Sequence, residues 1–452
     1  MKATKSASDF TRGNIAKQMI TFALPMLIGS VLQQLYSIVD AIVVGRFIGG
    51  EALAAVGVSL SITVFLSAVL IGLTTGASVV ISQYFGAKQP ENMERAVSTS
   101  IMFFSGLSLV ITALGLFFTP VILAALAVPA AVFEYALVYL RIQMAGLSFL
   151  VFFNMFTAYL RAIGNSRSPL YILIVAILLN AGLNIVFVIV LEFGIAAVSL
   201  TTVISQAVAT LLCFLYIRKN VPVLQVNRLS FDKLLFKTIV KYGAPAALQL
   251  SLVSLAALII TRLINFFGAA AVAGITAATR IDAFAILPIN TLSMALATFV
   301  AQNMGANIEE RAKKGLKTAL LLMLMFAALM SVVVIISSSW LISMFVDPTD
   351  VNRVEIVQVG TNYIRVISVF YFLFAFLFAF NGFFRGAGDA VIAMVFPVCS
   401  LTIRTVVAYL LVFKAGMGPE ALAWSIPIGW ALTGAASWWY YRKRLWAGKV
   451  IT

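Results

Sequence analysis

Residues 53–81, 96–133 and 170–191 of this chain contain no Lys, Arg, Asp or Glu. A helix needs about 20 predominantly apolar residues to cross the hydrocarbon core of a bilayer, and each stretch is longer than that. Only 10% of the residues are charged and 62% are apolar, whereas soluble domains carry about 25% charge. The sequence is therefore that of a polytopic, all-α membrane protein. Its apolar runs predict twelve transmembrane helices at 15–44, 52–80, 94–118, 131–160, 169–191, 195–217, 236–264, 270–301, 315–341, 353–383, 390–413 and 420–441.

The net charge of +15 does not call for nucleic acid, because of where the charge lies. With a cytoplasmic N-terminus, twenty-three of the 31 Lys and Arg residues, from Lys2 and Lys5 to Lys449, fall in inner segments. Arg46, Arg262, Arg353 and Lys414 are outer, and Arg141, Arg280, Arg365 and Arg404 lie within helices. The positive-inside rule then puts both termini in the cytoplasm, with the chain in the inner membrane. The polar first 18 residues and the long apolar run after them predict no cleavable signal. Two cysteines, Cys213 and Cys399, provide neither a disulfide framework nor a metal cluster. Histidine is absent, so proton handling near neutrality falls to a carboxylate.

The chain is written twice. "ISQYFGAKQPENMERA" (81–96) returns as "VAQNMGANIEERA" (300–312), matching Gln83 to Gln302. "LRAIGN" (160–165) returns as "FRGAGD" (384–389), and "YLR" (139–141) as "YIR" (363–365). Six helices per copy is an even number, so both copies enter from the same side. They are expected to be two lobes, 1–217 and 236–452, related by a pseudo-two-fold axis along the membrane normal. The basic stretch 218–235 reads as the cytoplasmic linker.

Within the first span, Asp40 has no basic residue between Lys17 and Arg46 to pair with along the chain. A carboxylate among lipid tails costs about 3 kcal/mol or more, so it should face the bundle interior. Desolvation there disfavours the charged form, so proton and cationic solute can compete for one group. Tyr36 lies one turn earlier on the same face. Asn180 and Asn184 share a face of the fifth span, where amides either stitch helices together or line a polar cavity. Asp282 stands two residues from Arg280, so the two side chains point apart; a gate, a structural pair on another helix or a secondary site all fit. Arg141 and Arg365 are repeat mates and read as structural. The aromatic run 370–384 reads as lipid-facing or packing surface. Pro25 and Pro245 occupy matching places in the first spans of the two copies and are expected to bend them.

Twelve helices in two halves, "YSIVDAIVVGRFIGGEALAAVG" (36–57), the paired Gln-x-x-Gly-Ala segments and "RGAGD" (385–389) together resemble the multidrug and toxic compound extrusion (MATE) family, over essentially the whole chain. The DinF-like branch is the nearest match. The resemblance implies efflux of drugs or metabolites by alternating access, driven by protons or sodium. It also implies a coupling site of Asp40, Asn180, Asn184 and Thr202, with Asp40, Tyr36 and Asn154 touching the substrate. Several relatives carry aspartate where this chain has Asn184. A single carboxylate makes a poorer sodium trap, which shifts the expectation towards protons, although sodium at the same four residues stays open.

No enzyme signature is present: no histidine, isolated cysteines and no phosphate-binding Gly-rich loop. The rival reading is a lipid-linked oligosaccharide flippase of the same wider superfamily. Such flippases need a strongly basic cavity, and only four arginines lie within the spans. The expected partners are small organic, cationic or amphipathic solutes and the lipid bilayer, with no nucleic acid. The expected cofactors are none beyond the coupling ion, and the expected state is a monomer.

Overall fold

The computed structural model describes residues 8–449; Lys2 and Lys5, counted above with the inner charges, lie outside them. All regular structure among the described residues is helical. The first half holds α1 (Ile15–Phe47), α2 (Gly50–Gly86), α3 (Pro90–Ala125), α4 (Ala130–Ala145), α5 (Leu147–Ala162), α6 (Arg167–Asn184) and α7 (Gly194–Asn220). The second holds α8 (Lys233–Asn265), α9 (Ala269–Ala285), α10 (Leu287–Gly305), α11 (Glu309–Ser343), α12 (Arg353–Val369), α13 (Tyr371–Gly386), α14 (Ala390–Phe413) and α15 (Glu420–Arg442). Phe117, Leu178, Leu258 and Ile336 are each more than 60% exposed, as side chains facing acyl chains should be.

Three of the expected spans are not single helices. The fourth is α4 and α5, meeting at 49°; the eighth is α9 and α10, at 40°; the tenth is α12 and α13, at 53°. Pro288 explains the break before α10, since its ring excludes the carbonyl four residues back and it has no N–H to donate. At the α4–α5 junction a Cβ on Gly146 would lie 2.4 Å from Val203 Cγ2 of α7, so close packing holds the bend. No proline or glycine marks the break at Phe370, and nothing local accounts for it. The twelfth span, α15, is 23 residues long, about 35 Å at 1.5 Å per residue. Its Trp and Tyr content makes it less hydropathic than the others and suits the membrane interface.

The repeated motifs are helix stops. After α2 the Ala87 N–H donates to Gln83 O and the Gln89 N–H to Tyr84 O, with Lys88 left-handed at φ 57°. After α10 the Ala306 N–H donates to Gln302 O and the Ile308 N–H to Asn303 O, with Asn307 at φ 57°. The second motif repeats the device: the Asn165 N–H reaches Leu160 O and the Asp389 N–H reaches Phe384 O. Gly164 and Gly388 take the left-handed position there. These bonds satisfy carbonyls that a helix C-terminus otherwise leaves orphaned.

The chain forms two compact units that do not follow the linker. Leu24–Ala247 belongs to the first, together with Ser8 and Asp9; Phe10–Ala23 and the chain from Leu248 onward belong to the second. The N-terminal end of each half's first span is therefore grouped with the other unit, and each changeover falls beside Pro25 or Pro245. Small residues explain the first unit's share of α8. Gly72 and Gly76 form a G-x-x-x-G face on α2, and a Cβ on Gly76 would lie 2.4 Å from Gly243 N and 2.5 Å from Ile239 O. Backbones this close need glycine on the contact. In the second unit, Phe10 is buried; its N–H donates to Gln302 Oε1, and its carbonyl accepts from Asn303 Nδ2 and Arg311 Nε.

Candidate functional site

α1, α6 and α7 bring one polar cluster together inside the first unit. Helical spacing places Tyr36 above Asp40 on α1, and Asn180 above Asn184 on α6. Asn184 is the hub. Its Nδ2 donates to Asp40 Oδ1 at 3.1 Å and to Asn180 Oδ1 at 2.9 Å. Its Oδ1 accepts from Thr201 Oγ1 at 2.6 Å. Asn180 Nδ2 reaches Thr202 Oγ1 at 3.4 Å, and the Tyr36 and Thr202 hydroxyls lie 3.3 Å apart. Asn180, Asn184 and Thr201 are buried, while Asp40, Tyr36 and Thr202 are half-buried.

Directly after Asn184 the helix widens into a π-helical turn, Ile185–Val190. The span expected as one regular helix over 169–191 thus changes pitch at the hub, a feature frequent at functional sites. Asn184 is the only side chain donating a hydrogen bond to Asp40 among the described residues, and no Lys or Arg there forms an ion pair with it. A hydrogen bond between membrane helices is worth about 0.6 kcal/mol on average. That is well short of the ~3 kcal/mol or more that a buried carboxylate costs, so this carboxyl is not stabilised by its protein neighbours alone.

Asp40, Asn180, Asn184, Thr202 and Tyr36, nominated from the sequence, meet in this cluster. Asn154 does not join it through any hydrogen bond among the described residues; its amide donates to Leu150 O of its own helix at 2.9 Å. Thr201 was missed, although it is the hydroxyl that binds the hub. Thr201 and Thr202 are adjacent, and only the rotation of α7 decides which of them faces Asn184. Tyr139 of α4, also missed, lies within electrostatic reach of Asp40.

In the second unit Asp282 of α9 accepts from Tyr371 Oη at 2.8 Å and lies within electrostatic reach of Arg404. Arg404 Nη2 reaches Tyr363 Oη at 3.5 Å. Arg280 is exposed and takes no part. Tyr371 belongs to the run read as lipid-facing or packing surface, yet it is fully buried. Its hydroxyl was the polar signal in that run.

Six spans in each half, with a carboxylate held among amides and hydroxyls between helices, are the build of a membrane carrier. The chain belongs to the multidrug and toxic compound extrusion family: the family model MatE matches residues 25–186 and again residues 245–410. The two matches begin at the spacing of the repeated motifs. "Probable multidrug resistance protein YpnP" of Bacillus subtilis is 28% identical, covering 99% of each chain. "Multidrug export protein MepA" of Staphylococcus haemolyticus is 27% identical over 93% of this chain and 91% of its own. The solved "Outward-facing conformation of a multidrug resistance MATE family transporter of the MOP superfamily" shares the fold at TM-score 0.91 and 23% identity, over 98% of this chain and 99% of that one. A MOP superfamily transporter from Pyrococcus furiosus gives the same figures.

Proposed function

We propose that the protein is a secondary active antiporter that exports organic, cationic or amphipathic compounds in exchange for protons, by alternating access. The observation that carries this reading is Asp40, a half-buried carboxyl with one amide donor and no ion-pair partner among the described residues. Such a group gains by taking up either a proton or a cationic solute, and the two exclude each other. The amide oxygens favour the proton over sodium. Asn180 Oδ1 already accepts from Asn184, and Asn184 Oδ1 from Thr201, so a sodium ion would find one carboxylate and partly committed amide oxygens, whereas a proton needs Asp40 alone. Tyr36 and Thr202 lie at the more open edge of the cluster, where a solute would meet Asp40. The names of the two relatives above support drug-like cargo. A flippase is less well supported, since only Arg141, Arg280, Arg365 and Arg404 lie within the spans, fewer than a strongly basic headgroup cavity calls for.

The test is transport of a fluorescent cationic dye into everted vesicles, with proton and sodium gradients imposed separately. Dye should move under the proton gradient and stay under sodium alone. Export under sodium alone would reverse the ion assignment.

We also place the protein in the cytoplasmic membrane as a monomer, with both termini inside. The basic residues around 218–235 and 311–317 support this by the positive-inside rule. A periplasm-active reporter fused to the C-terminus should give no signal, and a strong signal would invert the topology.

A further inference from the structure

Within the second unit, a cavity of about 460 Å³ lies between the end of α11 and the first half of α12, at the opposite end of these helices from the Gln302 motif. Its lining mixes apolar surface with serines, amides and two arginines, Arg353 and Arg365, and holds no carboxylate. Arg365 Nε donates to Ser338 Oγ at 2.9 Å, which fixes the guanidinium plane and leaves its terminal nitrogens uncommitted. Arg353 forms no ion pair or side-chain hydrogen bond among the described residues. Asp347 lies within its electrostatic reach, but that carboxylate is engaged by Thr349 N and Oγ1. The side chains of Gln358 and Asn362, on the same wall, have no hydrogen-bond partner among the described residues. Thr361 is 5% exposed, and its hydroxyl is likewise unpartnered.

This wall runs into the membrane. From Arg353 to Arg365 α12 rises about 18 Å, and both side chains lean towards the N-terminus, so the two guanidiniums mark two levels of the groove. Trp340, 64% exposed beside Ser339, sets the rim at headgroup level, where tryptophan prefers to sit. Val354 in the lining and Ile336, one turn before Ser339 on α11, are strongly exposed. Unpaired polar groups facing hydrocarbon cost several kcal/mol each, so water or a polar ligand must meet the polar side chains wherever the groove enters the bilayer. Two guanidiniums in the lining, with Asp347 near Arg353 but no acid near Arg365 among the lining residues, favour an anion, and a fork of N–H donors suits phosphate oxygens. The apolar flanks select an anion that carries acyl chains.

We propose that the α11–α12 groove binds the phosphodiester headgroup of an anionic phospholipid, with its chains lying along Val354 and Ile336. The experiment uses the full-length protein in detergent, loaded with phosphatidylglycerol or chain-matched phosphatidylcholine, and counts retained lipid by native mass spectrometry. Wild-type protein should retain phosphatidylglycerol in clear preference. Arg353→Gln should lower that retention about tenfold, the effect of one lost charge-assisted contact. This variant loses no side-chain hydrogen bond or ion pair among the described residues, only the field of Arg353 on Asp347, whereas Arg365→Gln also loses its bond to Ser338. Lys414→Gln, an outer-loop control, should leave retention unchanged. Equal retention of the two lipids overturns the proposal, as does unchanged retention in Arg353→Gln or an equal loss in Lys414→Gln. Displacement by inorganic phosphate alone would also overturn it, by assigning the groove to a free anion.

Discussion

Asp40→Asn is expected to abolish gradient-driven dye export while leaving the protein folded and inserted. Asparagine keeps the shape and still accepts from Asn184 Nδ2 through its Oδ1, so the bonds to Asn180 and Thr201 can stand. It also removes a charge that was costly among lipid tails, so thermal stability should hold or rise. What it removes is the ability to exist in both protonated and ionised forms. Dye uptake into everted vesicles should fall to that of vesicles without the protein, measured as accumulated dye after a proton gradient is imposed. Asp282→Asn should be milder, because Asp282 already has Tyr371 and Arg404 as neighbours and reads as a structural or gating group. If Asp40→Asn exported at the wild-type rate while Asp282→Asn was silent, the coupling site would belong to the second unit.

Gly76→Leu is expected to give the largest loss of stability of any single change discussed here. A Cβ at residue 76 meets backbone atoms of Ile239 and Gly243, and backbone cannot rotate away as a side chain can. Overpacking a well-filled site typically costs ~1–3 kcal/mol, and occasionally more. A leucine against two backbone segments belongs at or beyond the upper end. The inner part of α8 would then have to leave the first unit or the helix pair would have to separate. Folded yield by fluorescence size-exclusion chromatography and the melting temperature would report this. Gly106→Leu is the matched control, since nothing lies within 4 Å of its added Cβ. A Gly76→Leu protein melting within a few degrees of wild type would mean that α2 and α8 do not approach as described.

These two positions differ in how visible they are in the sequence. Asp40 declared itself, because one acid in a long apolar run has no cheap explanation. Gly76 looked like any other glycine in a span rich in small residues, and only its distance to Gly243 gives it meaning. The cluster around Asp40 shows the same division within one site. Tyr36 could be named because i,i+4 spacing puts it on the face of Asp40; spacing put Asn180 and Asn184 on one face, and the family resemblance assigned them to Asp40. Thr201 could not be preferred to Thr202, because the rotation of α7 is set by its neighbours. Tyr371 was hidden among phenylalanines, and the distance between its hydroxyl and Asp282 joins residues 89 positions apart.

By itself, the sequence determined what is local or what depends on the solvent. Span number and helical character follow from apolar length against bilayer thickness, and lipid satisfies an apolar face whichever helix lies beside it. The stops after Gln83, Gln302, Arg161 and Arg385 are equally local, since a capping bond closes within six residues. The tertiary structure decided the bends at Gly146 and Phe370, the exchange of inner helix ends at Pro25 and Pro245, and the choice of Thr201. In a membrane, hydrophobicity gives helices little reason to prefer one neighbour over another. Pairing is then left to close contacts between small residues such as Gly76 and Gly243, and to bonds such as those of Asn184, which link positions far apart in the chain.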